Sequence, residues 1–540
     1  MKTKQADLNE ILRPADASVI ENAIRRGATR RELLGMLMAA GMTAAVGGSV
    51  ITAAKRAVAA TPKKGGDVRF AWAQHGPSDT FDPILNTNSL DYARSRLTYN
   101  NLTRFKEDLT VEPELAEEYS SNADATEWTF KLRDGVTWHD GSKLTAEDVI
   151  YSMSRHLGED SKSKAKVLFS DVKEWIKLDD STVKAVLNAP NAEIPVILAT
   201  FHFKIVKDGV TDFQKPIGTG PFAVDEFSPG VRSLHSRFED YWSAEGPYLD
   251  RIEVFGIPDA VARTNALISG DIQMAGNIDP KLAPQIEGAE GVEMFIVPSG
   301  ACNDIVVRLD MEPGNNPDFV LGLKYLQRRD RVLQVVQKGH GSIGNDHAVG
   351  PAYGADWCKE QVIRPYDPDK AEFHLKKSGV TTAKIDYAEV SAGLTDVCLM
   401  LQRECAKVGL DLQLNRVPND GYWSTTWLKA PMHVGSWNMR PSANIMMTIA
   451  YQSDAPWNES HWKNEHFDKL LKAARAELDP AKRYEMNCEM QQLVSDEAGT
   501  LIPTHNAYSD AIVSKLKGLP RVPLGPFGAM EWPEFAWLDA

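Results

Sequence analysis

The sequence predicts an α/β fold built from more than one lobe, and three stretches carry this prediction. Residues 127–157 have the pattern of a strand, two tight turns and a capped helix in close succession. Residues 383–417 have the pattern strand, helix, strand, which is typical of a parallel crossover. The region from Gly66 to Val297 is a mosaic of short strands and helices broken by Gly and Pro. A length of 540 residues also suggests two to four domains.

The first predicted element is a strand at residues 66–72. Val68, Phe70 and Trp72 alternate there with other residues, which is the period of a half-buried strand. We therefore expect the first lobe to begin at this point.

The stretch 127–157 contains the strongest local signals. Apolar side chains alternate through residues 128–132, and Asp134-Gly135 then favours a hairpin turn. A second strand is expected at residues 136–139. Thr145–Asp148 has the form of a capping box, so a helix should begin there and continue to a cap at Gly158. His139 and Asp140 are interpreted as turn residues without catalytic chemistry.

The second half of the chain predicts a parallel unit followed by helices. Residues 383–391 and 411–417 are strand-like, and residues 395–408 between them form an amphipathic helical pattern. Residues 467–498 are helical with a charged, solvated face. After Pro503 the chain is expected to return to short strands.

Composition excludes several functional classes. The net charge is −14, and no basic stripe follows residue 66, which argues against a nucleic-acid partner. Five cysteines permit at most two disulfides, and none forms a C-x-x-C pair that would suggest a metal or redox site. Cys398 and Cys405 share a helix face and are expected to pack rather than to bridge.

The first sixty residues differ in kind from the rest. Arg30-Arg31 precede an uncharged run from Leu33 to Ala54, and small residues follow at 57–60. This pattern resembles a twin-arginine export signal over residues 1–60 and predicts a periplasmic protein. A retained membrane anchor is the alternative, although a run so rich in Gly and Ala would make a poor membrane span.

Two motifs suggest enzymatic chemistry, and their contexts exclude it. Residues 339–344 match G-x-G-x-x-G, but the preceding segment has a helical pattern and residues 345–351 cannot start a helix. His461 to His466 has one residue too many for a zinc-protease motif. We therefore predict no catalytic residue, no metal and no cofactor.

Aromatic and polar residues between positions 422 and 440 are candidates for solute binding. Flat apolar walls with a few oriented hydrogen bonds are what a small-molecule site requires. We expect Trp437 to stack on a ligand while Asn438 and Arg440 orient its polar groups. The candidates here are Tyr422, Trp423, Trp437, Asn438 and Arg440.

Several motifs occur in the order found in one known family. They are Phe81-Asp82-Pro83, residues 128–133, Trp138–Gly141, Leu144–Val149, Gly218–Phe222, Tyr241-Trp242 and Arg263–Asp271. From about Gly65 to its C-terminus the chain resembles the family 5 extracytoplasmic solute-binding proteins, which are receptors of bacterial ABC importers. The resemblance implies a type II clamshell of two lobes with an extra subdomain in the first, and a monomer that works with an ABC permease and ATPase.

The resemblance also implies boundaries and further ligand contacts. The expected divisions are a first lobe over 61–299, a second lobe over 300–505 and a return to the first lobe over 506–540, with hinge crossings near Pro298–Gly300 and Pro503–Asn506. Residues where relatives meet ligand from the first lobe are Thr87, Asn88 and Ser89. Asn303 and Asp304 follow the first crossing and are expected to reach the cleft.

One departure from the family pattern bears on the ligand. Peptide-binding relatives have an acid shortly after a Trp at this place, which pairs with the α-amino group of the peptide. Here no acid follows Trp437 before Asp454. We therefore expect a non-peptide polar solute such as an oligosaccharide, an opine or another carboxylated compound, with a peptide as the alternative. A secreted hydrolase or oxidoreductase and a peptide-binding chaperone of the same fold are the competing functions.

Overall fold

The computed structural model describes residues 62–539 except 74, 280 and 420. The predicted export signal, and with it the alternative of an N-terminal membrane anchor, lies outside the described residues. Within the part that is described, no helix has both the length and the apolar character needed to cross a membrane.

The strands of the described residues are, in chain order, β1 (Asp67–Trp72), β2 (Thr103–Phe105), β3 (Val111–Pro113), β4 (Ala116–Ser121), β5 (Glu127–Leu132), β6 (Val172–Asp179), β7 (Thr182–Leu187), β8 (Phe222–Ser228), β9 (Arg232–Arg237), β10 (Arg251–Gly256), β11 (Met274–Ala275), β12 (Val292–Val307), β13 (Ser342–Ile343), β14 (Thr382–Tyr387), β15 (Asp411–Arg416), β16 (Met432–Trp437), β17 (Thr500–Leu501), β18 (Thr504–Val513), β19 (Leu516–Lys517) and β20 (Trp537–Leu538). The α-helices are α1 (Ser89–Thr98), α2 (Ala146–Ser154), α3 (Ile194–Leu198), α4 (Ala260–Ile268), α5 (Ala283–Glu287), α6 (Pro317–Tyr325), α7 (Arg329–Arg331), α8 (Pro368–Ser378), α9 (Leu394–Lys407), α10 (Tyr422–Thr425), α11 (Ala443–Tyr451), α12 (Glu465–Ala476), α13 (Pro480–Glu497) and α14 (Pro526–Ala529). Short 3₁₀-helices lie at Pro83–Leu85, Lys166–Phe169 and Pro351–Asp356, and a π-helical turn lies at Val332–Val336.

One long sheet runs through both halves of the chain. Its strand order is β15-β14-β16-β12-β18-β11-β1-β10-β9-β8. The antiparallel pair β12 and β18 joins the two halves, and its register shifts between Pro298 and Cys302. The chain therefore passes between the halves through two strands that are hydrogen-bonded to each other.

The first half packs its part of the sheet against α1, α4 and the C-terminal segment. β1 lies parallel to both β10 and β11, with Phe70 and Trp532 buried together in the core. A separate four-stranded sheet, in the order β4-β5-β7-β6, forms a smaller unit with its own core around Trp138.

The second half contains the predicted parallel crossover. β14 pairs in parallel with β15 from Thr382↔Asp411 to Tyr387↔Arg416, and α9 connects them. Cys398 and Cys405 on α9 are buried free thiols, as expected. Cys358 and Cys488 form a disulfide that joins the middle of α13 to the segment after the 3₁₀-helix Pro351–Asp356.

Two local predictions were wrong. Residues 136–139 do not form a strand, because the ring of His139 accepts a hydrogen bond from the Gly218 amide (3.2 Å) and donates to the Gly220 carbonyl (3.0 Å). These bonds hold the turn against another loop instead of a neighbouring strand. The following helix begins at Ala146 as predicted but ends at Ser154, before Gly158.

Candidate ligand-binding site

A cavity of about 590 Å³ lies between the two halves of the molecule. Its first wall contains Thr87, Ser89, Tyr92 and the segment Phe201–His202, and the facing wall contains residues 438–441 and Trp457. Tyr508 to Asp510 of β18 close it from the side where the chain crosses between the halves. The volume falls in the range of small-molecule sites in general.

Five of the ten predicted ligand residues line this cavity. Thr87, Asn88 and Ser89 lie at the start of α1, while Asn438 and Arg440 follow β16. Asn88 is the N-cap of α1: its Oδ1 accepts from the Asp91 amide (3.0 Å) and its Nδ2 donates to the Asp91 carboxylate (2.8 Å). Its side chain is therefore committed to the helix rather than open to a ligand.

The other five residues do not lie in the cavity wall. Tyr422 is buried and exchanges hydrogen bonds with the backbone of Val434, and Trp423 is 46% exposed at the surface. The Asn303 amide donates to the Ala392 carbonyl (3.0 Å). Trp437 and Asp304 are buried within the second half. In the structure each of these five side chains packs against or hydrogen-bonds to other parts of the protein. That they contact a ligand remains a prediction.

Asp304 and Glu459 form a buried acidic pair beneath the cavity wall. Both are fully enclosed, and a Cβ added at Gly435 would collide with the two carboxyl groups together. Glu459 accepts hydrogen bonds from the indole N–H groups of Trp427 and of Trp437, the latter at 2.8 Å. Burial, followed by the charge of Glu459, raises the pKa of Asp304 well above its ordinary value. The pair therefore holds a proton to a higher pH than an ordinary carboxyl group does.

Four tryptophans pack in series beside this acidic pair. The ring centroids of Trp423 and Trp427 are 5.3 Å apart, those of Trp427 and Trp457 are 6.3 Å apart, and those of Trp457 and Trp437 are 6.2 Å apart. Of the four, Trp457 is the one that lines the cavity, with 46% of its surface exposed. The aromatic wall that the sequence predicted for Trp437 is thus supplied in this cavity by Trp457.

Sequence reasoning missed several of the cavity residues. Tyr92 and Phe201 stack with centroids 4.5 Å apart in the first wall, and Tyr508 and Asp510 lie on β18. None of these positions has a local pattern that marks a site. Only the predicted second crossing near Pro503–Asn506 could have directed attention to the residues that follow it.

The two halves touch beside the cavity. Ile445 of α11 packs into the core of the small four-stranded unit, and Phe105 of β2 packs with Met446 in the second half. Glu193 is buried near Ser442, and burial raises the pKa of this carboxyl to about 7.

A sequence profile decides the family. The profile described as "Bacterial extracellular solute-binding proteins, family 5 Middle" matches residues 110–459, which is more than half of the chain. The chain belongs to family 5 of the bacterial extracellular solute-binding proteins. The resemblance inferred from the motifs is thereby confirmed.

Individual relatives agree with this assignment. The family 5 protein is 26% identical to the dipeptide-binding protein of Escherichia coli K12 over 509 residues, which cover 84% of this chain and 92% of the relative. It is 26% identical to a glutathione-binding protein of Pectobacterium atrosepticum, with 90% and 96% of the two chains covered.

Solved structures show the same fold. HbpA2 of Haemophilus parasuis aligns with a TM-score of 0.78 at 20% identity, covering 88% of this chain and all of the other. AgaA of A. tumefaciens R10, in complex with agropinic acid, aligns with a TM-score of 0.69 at 21% identity over 88% of this chain and 99% of the other. The predicted type II clamshell is therefore confirmed as the fold class.

Membership of family 5 establishes the function only in the general terms that hold for the family. Proteins of this family bind solutes outside the cytoplasm for ABC transporters and are not enzymes. In this chain the G-x-G-x-x-G segment forms β13, which pairs with β18, and no helix follows it directly. Among the described residues, one group could offer three metal ligands, namely Cys358, Glu360 and Cys488, and its two sulfurs are joined as a disulfide.

Proposed function

We propose that this family 5 protein is a periplasmic receptor that captures a small polar solute between its two lobes and delivers it to an ABC permease. The observation that supports this proposal is the cavity whose walls come from both halves of the chain, with the crossing strand β18 at its side. A solute that contacts both walls stabilises the arrangement in which the walls face each other. The permease would then recognise that arrangement, which is a population shift between open and closed forms.

The lobe boundaries at 299 and 505 are part of the proposal. They fall next to the register shift in β12 and within the start of β18, the two strands that join the halves. Rotation there would change the distance between Tyr92 on one wall and Trp457 on the other. We propose that the receptor works as a monomer, because each wall of the cavity is built from the same chain.

The solute class is proposed from the chemistry of the walls. No acidic residue lies between Trp437 and Asp454, so the α-amino group of a peptide would lack the partner that the family pattern provides at that place. An opine, an oligosaccharide or another carboxylated compound suits the aromatic and amide groups present. A peptide is the second candidate, and the dipeptide- and glutathione-binding relatives favour it.

A thermal-shift screen against peptides, sugars and opines tests the receptor function. A solute that binds the folded protein alone raises its apparent stability, by about 2.7 kcal/mol at a hundredfold excess over Kd. Small-angle scattering with the best hit should show a smaller radius of gyration, because the lobes close. A solute that binds tightly without any compaction would contradict closure about the hinge.

Export is tested separately. Replacing Arg30 and Arg31 by Lys is expected to leave uncleaved precursor in the cytoplasm, because the twin-arginine pair would be lost. Cell fractionation followed by immunoblotting measures this. Mature protein reaching the periplasm unchanged would refute the proposed route, while export of an unaltered chain from the same plasmid is the control.

A further inference from the structure

The guanidinium of Arg440 is a half-buried charge without a counter-ion among the described residues. It lies in the cavity wall after β16, and its backbone amide donates to the Tyr353 hydroxyl (3.2 Å). Its side chain makes no hydrogen bond or ion pair with any residue in the described part of the chain. Buried charges are ordinarily paired, because an unpaired ion loses its hydration without compensation.

Other buried arginines of this protein follow that rule. Arg94 pairs with Asp79 (2.9 Å), Arg96 with Glu114 (2.7 Å) and Arg329 with Asp346 (2.6 Å). Arg263 has no carboxylate, but its guanidinium donates to the backbone carbonyls of residues 257, 258, 276 and 277. Arg440, which is half-buried in the cavity wall, has neither a carboxylate nor a carbonyl partner for its guanidinium among the described residues.

The groups nearest to Arg440 cannot neutralise it. They are the hydroxyls of Tyr92, Tyr353 and Tyr508, and burial raises the pKa of each, to about 12 for Tyr92. All three are therefore uncharged at neutral pH. Burial also lowers the pKa of the guanidinium itself, which nevertheless stays charged because free arginine titrates so far above neutrality.

The two carboxyl groups in the cavity wall are already occupied. Asp510 accepts hydrogen bonds from the backbone amides of Asn277 (2.9 Å) and Phe527 (2.7 Å), and burial raises its pKa to about 7. Glu531 forms an ion pair with Arg96. Lys164 adds a second positive charge, but it is exposed at the cavity mouth and is screened by solvent.

We infer that the physiological solute is an organic monoanion. Its carboxylate is bound by the guanidinium of Arg440, and its flat apolar body lies against Trp457 and the stacked pair Tyr92–Phe201. This inference rests on the proposed function, since it takes the cavity as the solute site. Guanidinium donors match the two oxygens of a carboxylate. A single uncompensated cation balances a single negative charge, so a phosphate dianion would leave a buried charge unpaired. A free ammonium group on the solute would meet no open carboxylate.

Three forms of one small peptide test the charge requirement. Glycyl-phenylalanine carries both charges, its N-acetyl derivative keeps only the carboxylate, and its C-terminal amide keeps only the ammonium. Calorimetric titration should rank the N-acetyl form first and the amide last, with about tenfold or more between them. The comparison is extended to non-peptides with agropinic acid and with benzoate against benzamide. Phenyl phosphate tests whether a dianion binds. Equal affinity for acid and amide, tighter binding of the amide, or no binding by any carboxylate would overturn the inference.

Variants at Arg440 connect the preference to this side chain. In Arg440→Met the difference between acid and amide should vanish, and Arg440→Lys should restore part of it. Without solute, the Tm of Arg440→Met should stay level or rise, because the guanidinium bonds to nothing in the protein. Arg263→Met is the matched control and should lower the Tm, since four carbonyl contacts are lost. A fall in Tm at Arg440→Met equal to that of the control would assign Arg440 a structural role and refute the inference.

The two proposals fail in different ways. A receptor that closes on a neutral or cationic solute would keep the proposed function and refute the monoanion. A carboxylate that binds through Arg440 without compaction in small-angle scattering would keep the monoanion and refute closure of the lobes.

Discussion

Replacing Asp304 by Asn should change how the stability of this protein depends on pH. Asp304 is enclosed with Glu459, and of the two, Glu459 receives both indole hydrogen bonds. The negative charge is therefore best held on Glu459, and the proton on Asp304. Because burial and the neighbouring charge raise the folded-state pKa of Asp304 well above 3.8, the folded protein binds one proton more than the unfolded chain over the intervening pH range.

The sign and size follow from proton linkage. A raised carboxyl pKa contributes stability that is fully present below the unfolded value of 3.8 and is lost as pH rises toward the folded value. One extra bound proton corresponds to a slope of about 1.4 kcal/mol per pH unit. Each pH unit between the unfolded and the folded pKa should therefore cost the wild type up to about 1.4 kcal/mol through this group. Asn is neutral in both states, so Asp304→Asn should lack this loss.

Urea unfolding of both proteins at several pH values between 5 and 8 measures the difference. The free energy of unfolding of Asp304→Asn, relative to wild type, should rise with pH, by at most about 1.4 kcal/mol per pH unit. Glu459→Gln is the matched control: it removes the charged partner but leaves Asp304 buried, so a pH dependence should persist. One indole N–H also loses its acceptor, which costs about 1–3 kcal/mol at every pH. Parallel pH profiles for wild type and Asp304→Asn would refute the shared-proton account.

Three further predictions concern the cavity and its surroundings. Trp457→Ala should weaken solute binding about tenfold or more in calorimetric titration, whereas Phe373→Ala, an exposed aromatic outside the cavity wall, should leave the affinity unchanged; equal losses would contradict the assignment of the aromatic wall. Gly435→Ala should lower the midpoint of urea unfolding, because its Cβ would collide with two buried carboxyl groups; an unchanged midpoint would contradict this packing. Asp510, whose pKa burial raises from 3.8 to about 7, should cost the wild type stability as pH rises through that interval, and Asp510→Asn should flatten this dependence in thermal melts; a dependence as steep as that of wild type would refute it.

The elements that could be predicted from sequence are those whose pattern is local. The crossover β14–α9–β15 was predicted because alternation, amphipathic spacing and Gly409 all act within about 35 residues. The strand expected at 136–139 failed because the hydrogen bonds of His139 go to residues 218 and 220, which no local pattern reveals. The conformation of such a turn is determined by hydrogen bonds to distant parts of the chain.

The candidate site also contains some residues that could be predicted from the sequence and others that could not. Arg440 was predicted from its chemical type, and the structure places it in the cavity wall. Trp457 was missed because it lies in an irregular segment between α11 and α12, where no periodicity marks which face is buried. Asp304 was expected in the cleft, and its close neighbour Glu459 is 155 positions away. A pairing at that separation depends on how the strands of the second half are arranged.

The position of β18 in the sheet has a consequence for the order of events during synthesis. This strand, residues 504–513, lies between β12 and β11, and β11 is the neighbour of β1 at residues 67–72. A ribosome therefore completes the middle of the first lobe only when almost the whole chain has been made. Until then β11 has an open edge, and the N-terminal lobe cannot close as an independent folding unit. The sheet of the first lobe is complete only when β18, near the C-terminus, has paired with β11 beside β1. Truncation near the C-terminus should therefore abolish folding of the N-terminal lobe as well.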